Sequence, residues 1–260
     1  MSQENSKRAS QTPRVTWVMF KKALFRPYPV TLPMILLVSL VPVYIFIAEW
    51  IKGVPTSAPE WVWDQWIPLV PSWSLVYGAL YFFLIVLPVF IIQQPELIRR
   101  TVWAYLAVWL FAYICFLLYP THAPRPEVVT GSGFAVWGLK FLYGADPAYN
   151  CFPSLHVAHS FVSALACFRV HRLLGWVSLL IASLVALSTL FIKQHYVADV
   201  LAGALLAFIA YLLFLRSYPR SNITDQEHQL VPALSAFVCA IVGFVYGVFW
   251  ILYLFNVQPK

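Results

Sequence analysis

Long apolar stretches, separated by short polar ones, occupy most of the chain. Seven of them approach or exceed the ~20 residues that an α-helix needs to cross the hydrocarbon core of a bilayer. They fall near residues 30–51, 74–93, 101–119, 154–170, 174–192, 197–215 and 232–256. The pattern predicts an all-α, polytopic integral membrane protein with a six-helix transmembrane core and a seventh helix at the C-terminus.

The composition agrees with this prediction. Hydrophobic residues make up 61% of the chain and charged residues 10%, whereas a soluble domain has roughly 25% charged residues. The net charge is +7, but the basic residues do not cluster on a polar domain, so nucleic acid is not an expected partner. Six of the basic residues precede residue 27, and we expect them to bind anionic lipid at the cytoplasmic face. They are Lys7, Arg8, Arg14, Lys21, Lys22 and Arg26.

The basic residues also predict the orientation of the chain. With the N-terminus in the cytoplasm, 12 of the 17 Lys and Arg residues lie inside and five lie outside. The positive-inside rule favours this arrangement over its inverse. Two long segments, about 52–73 and 120–153, then form external loops, and the inside connections are short.

A group of ionisable residues interrupts the apolar pattern near the sixth span. Residues 188–202 read STLFIKQHYVADVLA, with Lys193, His195 and Asp199 between two apolar runs. Ionisable groups within or beside membrane spans are costly and are functional candidates. Because His195 and Asp199 are four residues apart, we expect them on one face of a helix at its external end.

Two other polar segments are expected on the same side of the membrane. The segment NCFPSLHVAHS at 150–160 opens the fourth span, and two crossings separate His156 from His195, which returns the chain to the same side. HAPRP at 122–126 follows the third span on that side. The topology therefore predicts one external site, formed by Arg125, Ser154, His156, Lys193, His195 and Asp199.

Three of these residues have side chains suited to nucleophilic catalysis. Asp199 can accept a hydrogen bond from one nitrogen of His195, which fixes the tautomer and leaves the other nitrogen free to attack. His156 can protonate a leaving oxygen. The three residues therefore predict phosphoryl transfer through a phosphohistidine, a reaction that requires no metal or cofactor.

The other three residues are suited to binding an anion. Pro153 suits the first turn of a helix, and the free N–H groups of that turn, with the Ser154 hydroxyl, form an anion site. Arg125 and Lys193 add positive charge. We therefore expect Ser154, Arg125 and Lys193 to bind the substrate phosphate.

Two other classes of protein use similar residues. A metal enzyme could use His156, His159, His195 and Asp199 as ligands, since pairs at i,i+3 and i,i+4 suit metal binding. Metal analysis of purified protein would decide this. A transporter could use His and Asp as a proton relay, but its polar groups should lie near the middle of the membrane in broken helices. Here they cluster at one interface.

The polar segments resemble the motifs of a known family. PSLH at 153–156 and HYVAD at 195–199, preceded by ST at 188–189, resemble the second and third motifs of the type 2 phosphatidic acid phosphatase superfamily of membrane enzymes. RP at 125–126 resembles the end of its first motif. The resemblance covers about residues 74–215, with the motifs in the family's order and topology.

The resemblance implies a role for each matched residue. His195 corresponds to the nucleophile, Asp199 to the aspartate that orients it, and His156 to the acid/base. Ser154 and Arg125 match phosphate-binding positions.

The sequence departs from the phosphatase motifs at three positions. Leu118 and Thr189 stand where these phosphatases usually have a lysine and an arginine, and PSLH replaces the usual PSGH. In this form the motifs look closer to the branch that contains inositol phosphorylceramide synthases, which transfer a phospho-headgroup between lipids. A phosphodiester donor carries one charge fewer than a monoester dianion, which suits a site with fewer cations. Lys193 could replace one of the missing cations.

The sequence thus predicts an enzyme of lipid metabolism in four parts. These are a cytoplasmic basic N-terminal segment (1–29), a first transmembrane helix with an external Trp- and Pro-rich loop (30–73), a catalytic transmembrane core (74–215), and a cytoplasmic link with a C-terminal transmembrane helix (216–260). The expected activity is metal-independent cleavage of a lipid phosphate ester at the extracytoplasmic face. The alternative is a phosphotransferase that moves a phospho-headgroup between lipids. The substrate is a membrane lipid phosphate or a phospholipid, and its identity stays open.

Overall fold

The computed structural model describes residues 17–18, 21, 25, 27–255 and 257. Most of the predicted basic N-terminal segment lies outside these residues. From residue 27 onward, the α-helices are, in chain order, α1 (Tyr28–Ile51), α2 (Val62–Trp66), α3 (Trp73–Ile91), α4 (Pro95–Leu118), α5 (Phe134–Ala145), α6 (Leu155–Val170), α7 (Arg172–Phe191), α8 (Val197–Ala210) and α9 (Asp225–Leu254). α8 continues as a π-helical turn, Tyr211–Leu215, and a 3₁₀ turn, Arg220–Asn222, precedes α9.

Seven of these helices coincide with the seven predicted spans. Six are long and apolar enough to cross a membrane, and the seventh, α6, is shorter at 16 residues. No β-strand occurs among the described residues, only two isolated bridges. The prediction of an all-α polytopic membrane protein is therefore confirmed.

Two helices begin earlier than the apolar pattern predicts, because their first turns are polar. In α4, Arg99 and Arg100 pair with Glu96 one turn before them, with 2.7 Å between Arg100 Nε and Glu96 Oε1. In α9, Thr224 caps the helix and the Glu227 carboxylate accepts from the Thr224 backbone N–H at 2.8 Å. The ion pairs of α4 and the reciprocal cap of α9 stabilise these first turns without apolar residues.

The two external segments contain helices that the sequence analysis treated as loops. α2 has five residues and α5 has 12. α5 is apolar but too short to cross a bilayer, and it packs against α3 and α9 instead. Its burial therefore depends on contacts with helices distant in sequence.

α6 lies at the centre of the bundle, where it packs against α3, α4, α7 and α8. Small side chains on its buried surface allow this close approach; they are Ala158, Ser160, Ser163, Ala164 and Ala166. The contact with α8 is close enough to require a glycine. A Cβ on Gly203 would lie 2.5 Å from the carbonyl oxygen of Ser154. The α6–α8 contact therefore brings the first turns of the two helices together.

The two ends of the bundle differ in chemistry. One end, which we call the basic end, carries Arg99, Arg100, Arg169 and Arg220, and there the Arg220 guanidinium donates to the carbonyl of Phe168 at 2.7 Å. The other end, which we call the motif end, holds the turn between α7 and α8 and the N-terminus of α6. The Ser154 N–H donates to the Asp199 carbonyl there at 3.0 Å, which joins two of the predicted motifs directly.

Candidate active site

His195 lies in the turn between α7 and α8, not on a helix. α8 begins at Val197, so the expectation that His195 and Asp199 share one helix face is wrong in detail. They meet because Asp199, at the third position of α8, turns back to the helix N-terminus. Its Oδ2 accepts from the Tyr196 N–H at 2.9 Å and lies 3.4 Å from His195 Nδ1. A carboxylate at this position commonly binds the free N–H groups of the first turn.

Thr189 holds this turn in shape. Its carbonyl accepts from the backbone N–H groups of Gln194 at 2.9 Å and of His195 at 3.3 Å. Lys193, just before Gln194, adopts a positive φ of 54°, and the chain reverses its direction there. The Thr189 hydroxyl itself donates to the Ala186 carbonyl at 2.7 Å. A residue at the position of the family's arginine therefore supports the turn through its backbone.

His156 is the second residue of α6. Ser154 caps this helix, since its Oγ accepts from the Val157 N–H at 3.3 Å. Pro153 therefore precedes the helix and does not occupy its first turn. His156 Nδ1 lies 3.2 Å from His195 Nε2, a hydrogen-bonding distance. The two predicted catalytic histidines, 39 residues apart in sequence, are thus in direct contact.

The contacts of His195 fit one tautomer. When Nδ1–H is directed at the Asp199 carboxylate, Nε2 is left as the acceptor for the N–H of His156 Nδ1. Burial and the nearby Arg125 guanidinium lower the pKa of His195 from 6.5 to about 4, although the Asp146 carboxylate raises it. His195 is therefore neutral at neutral pH, the form in which Nε2 has a lone pair.

The Arg125 guanidinium is fixed by hydrogen bonds to neighbouring protein groups. Its five N–H groups match five contacts: Nε donates to Gln194 Oε1 at 3.1 Å, Nη1 to the carbonyls of Tyr143 at 3.2 Å and Asp146 at 2.9 Å, and Nη2 to the Pro147 carbonyl at 3.3 Å and to Gln194 Oε1. In this structure Arg125 therefore joins the segment after α5 to the His195 turn. Its role in binding phosphate stays a prediction.

The other predicted cation lies to one side. Lys193 Nζ donates to the carbonyl of Asp64, in α2, at 3.3 Å, and Lys193 is not among the residues that line the cavity beside the histidines. Leu118, at the position of the family's lysine, is 80% exposed. The phosphate-binding roles of Lys193 and Ser154 stay predictions.

Sequence reasoning missed two polar residues of the site. Asp146 accepts from the Tyr44 hydroxyl at 2.9 Å through Oδ1, and its Oδ2 lies 3.7 Å from Arg125 Nη2 and 3.9 Å from His156 Nε2. Gln194 is buried, and its Nε2 has no hydrogen-bond partner among the described residues. A signal for Asp146 was present: the chain has only ten acidic residues, and this one lies between the first and second motifs.

A cavity of about 80 Å³ adjoins the two histidines. Its lining residues are Tyr44, Tyr81, Trp109, Asp146, Asn150, Leu155, His156, His159 and His195. A larger apolar groove of about 280 Å³ shares Tyr81, Trp109 and His159 with it and extends between α1, α3 and α4 to Met34 and Ile98. The polar cavity thus lies next to an apolar groove along the bundle and shares part of its wall.

The histidines do not form an evident metal site. Across the described part of the chain, no three His, Cys, Asp or Glu side chains are grouped so that they could hold a metal ion. His159 instead stacks on Trp109, with ring centroids 5.3 Å apart, and its Nδ1 lies 3.3 Å from the Tyr81 hydroxyl. Its contacts are those of a packed core histidine.

The fold and the site together define a polytopic helical membrane protein with two facing histidines, one of them paired with an aspartate, at one end of the bundle. Residues 57–213, more than half of the chain, match the family model described as the PAP2 superfamily. The chain belongs to this superfamily, whose members are phosphatases or phosphotransferases. The resemblance identified from the motifs is therefore correct at the level of the superfamily.

Matches to individual proteins have identities between 26% and 33%. The chain is 26% identical over 139 residues to a PA-phosphatase related-family protein of Dictyostelium discoideum, over 49% of this chain and 25% of that protein. It is 33% identical over 110 residues to an uncharacterized protein of Methanocaldococcus jannaschii, over 40% of this chain and 41% of that protein. It is 32% identical over 92 residues to the bacitracin transport permease protein BcrC of Bacillus licheniformis, over 32% of this chain and 45% of that protein. The matches thus span less than half of each relative, and no solved structure matches the chain.

Proposed function

We propose that the protein is a membrane lipid phosphatase that cleaves a lipid phosphate ester through a phosphohistidine on His195. The observation that carries this proposal is the arrangement Asp199–His195–His156, with 3.4 Å and 3.2 Å between successive polar atoms. The carboxylate orients a neutral imidazole, and the second imidazole lies where it can protonate a leaving oxygen.

The reaction takes two steps. In the first, the lone pair of His195 Nε2 forms a bond to phosphorus, the bond from phosphorus to the lipid oxygen breaks, and that oxygen takes a proton from His156 Nδ1. In the second, an acceptor hydroxyl returns a proton to His156 and attacks phosphorus, and the N–P electron pair returns to His195. Because the two rings now contact each other, substrate entry must separate them.

Two features of the surroundings support a lipid substrate. The apolar groove between α1, α3 and α4 adjoins the histidines, so a hydrocarbon chain can lie in it while the phosphate reaches the cavity. Gln194, next to His195 in the chain, does not line the cavity, but its Nε2 has no hydrogen-bond partner in the described part of the chain, and we propose it as a neutral donor for a phosphoryl oxygen once the substrate has separated the two rings. A neutral donor in place of the family's missing cations suits a phosphodiester as well as a monoester, which keeps headgroup transfer as the second candidate.

A release-and-transfer assay separates these two functions. Purified enzyme, treated with a chelator, should release inorganic phosphate from at least one member of a panel of phosphatidate and polyprenyl phosphates, because the proposed chemistry needs no metal. The same preparation is incubated with a phospholipid donor and a ceramide or diacylglycerol acceptor. Headgroup movement without phosphate release from any monoester would make the transferase the function. Activity that appears only when a metal is restored would contradict the phosphohistidine route.

We also propose that the N-terminus and the basic end face the cytoplasm, in contact with anionic lipid, and that the motif end is extracytoplasmic. The excess of Lys and Arg at the basic end supports this orientation. In a variant without the native cysteines, a cysteine in place of Lys140 on α5 should react with an impermeant maleimide added outside. A cysteine in place of Ser221, in the exposed 3₁₀ turn at the other end, should react only after the membrane is opened. The reverse labelling pattern would invert the assignment of the active-site face.

A further inference from the structure

A second carboxylate faces the histidines from the side opposite Asp199. Asp146 follows the last residue of α5, and its side chain is 18% exposed, within the cavity that His156 and His195 line. The Tyr44 hydroxyl, from α1, donates to Oδ1 at 2.9 Å and fixes the carboxylate in place. Oδ2 is left facing His156 Nε2 at 3.9 Å.

The site therefore contains two Asp–His pairs that face each other. In the first, Asp199 lies beside Nδ1 of His195, which leaves Nε2 toward the centre. In the second, Asp146 lies beside Nε2 of His156, which leaves Nδ1 toward the centre. The free nitrogens of the two rings meet at 3.2 Å. Each aspartate thus lies beside the ring nitrogen that points away from the substrate position.

We propose that Asp146 is a positioning residue that stabilises the protonated form of His156, the form that gives its proton to the leaving oxygen. The inference rests on the proposed function. A carboxylate about 4 Å from an imidazole favours the imidazolium by Coulomb attraction. When His156 Nδ1 gives up its proton, Nε2–H stays directed at Asp146. Asp146 itself neither gains nor loses a proton, and the acceptor hydroxyl restores the proton on Nδ1 in the second step.

Other groups around His156 set the size of this effect. Arg125 is 3.7 Å from the same carboxylate and opposes the imidazolium. From α3, the rings of Tyr77 and Tyr81 contact the His156 ring edge-on, with centroids 5.3 Å and 5.0 Å away. The other titratable groups around the pair include Tyr44 on α1, Cys151 before α6, His159 on α6, His195 in the turn and Asp199 on α8. With one cation opposing the carboxylate, we expect Asp146 to move the titration of His156 by about one pH unit.

The variant Asp146→Asn tests this inference, since it keeps the shape and an oxygen for the Tyr44 hydroxyl but removes the charge. We expect kcat/KM for an alkyl phosphate, whose alkoxide must be protonated to leave, to fall about tenfold on the basic side of the profile, the effect of a one-unit shift on the protonated fraction of His156. We expect kcat/KM for p-nitrophenyl phosphate, whose phenolate leaves unprotonated, to change less than about twofold. The basic limb of the pH profile for the alkyl phosphate should move about one unit toward acid, and the acid limb, set by His195 near pH 4, should also move toward acid, because the Asp146 carboxylate raises the pKa of His195 too.

Tyr44→Phe is the matched control, because it removes the hydrogen bond between Tyr44 and Asp146 but keeps the charge of the carboxylate. It should retain the wild-type ratio of the two substrates, and thermal unfolding in detergent should show both variants folded. Equal losses for the two substrates with an unmoved basic limb would overturn the inference in favour of a purely structural role, as would wild-type behaviour of Asp146→Asn. If wild-type enzyme cleaves neither ester nor any lipid phosphate, the proposed function fails, and the inference fails with it.

Discussion

Replacing His195 by alanine should lower turnover of a lipid phosphate by about 10⁴-fold or more, because the change removes the proposed nucleophile and leaves only the proposed proton donor, His156, at the centre of the site. The fold should tolerate the change. The His195 ring contacts the side chains of Asp199 and His156, and the turn around it is held by backbone hydrogen bonds to Thr189. Expression and thermal stability should therefore stay near wild type.

Direct detection of the phosphohistidine is a sharper test than the loss of turnover. With a ³²P-labelled substrate and an acid-free quench, wild-type protein should carry an acid-labile label that is absent from His195→Ala. His228→Ala serves as the control, since this histidine lies beside His171 at the basic end, with ring centroids 5.8 Å apart. His228→Ala should retain both turnover and label. Turnover of His195→Ala at the wild-type rate would exclude the phosphohistidine mechanism.

Replacing Asp199 by asparagine should lower turnover by about 10³- to 10⁴-fold. An amide can direct its NH₂ at Nδ1 of His195, which favours the tautomer with the proton on Nε2, and that nitrogen then has no lone pair with which to attack. Because Asp199 Oδ2 faces both His195 Nδ1 and the Tyr196 N–H, an NH₂ in its place also removes the acceptor for that N–H. The variant should therefore lose some stability at the start of α8 as well as turnover.

Asp64 of α2, which also accepts a hydrogen bond from the N-terminus of α8, provides the control for Asp199→Asn. Asp64 Oδ1 accepts from the Val197 N–H at 2.8 Å, also at the N-terminus of α8, but the side chain has no contact with His195. Asp64→Asn should change stability more than turnover. The comparison is made on kcat in detergent, together with thermal unfolding of each variant. If Asp64→Asn and Asp199→Asn lose turnover equally, the Asp199 effect belongs to the helix cap and not to the tautomer.

Most of the helical architecture could be predicted, because a long apolar helix is a local property of the chain. Summed hydrophobicity over about 20 residues decides whether a segment crosses the bilayer, and all seven predicted spans are helices. The same local reasoning failed for α5, which is apolar but short. Its place depends on packing against α3 and α9, and neither contact can be read from the segment itself.

The meeting of the two histidine motifs was also predictable. Two crossings between His156 and His195 return the chain to one side of the membrane, so parity alone places both at the same end. The sequence did not predict their relative orientation. The 3.2 Å contact depends on the close α6–α8 packing that Gly203 permits and on a turn that starts α8 two residues after His195.

By itself, therefore, the sequence determined the all-α polytopic membrane class, the superfamily and the residues that meet at one end of the bundle. These follow from local hydrophobicity, motif spacing and the parity of crossings. Only the tertiary structure decided what surrounds them: the five donors of Arg125 bound by the protein, Lys193 turned to Asp64, and Asp146 beside His156. Such contacts join segments that are far apart in the chain, and their distances depend on how whole helices pack, which no local pattern encodes.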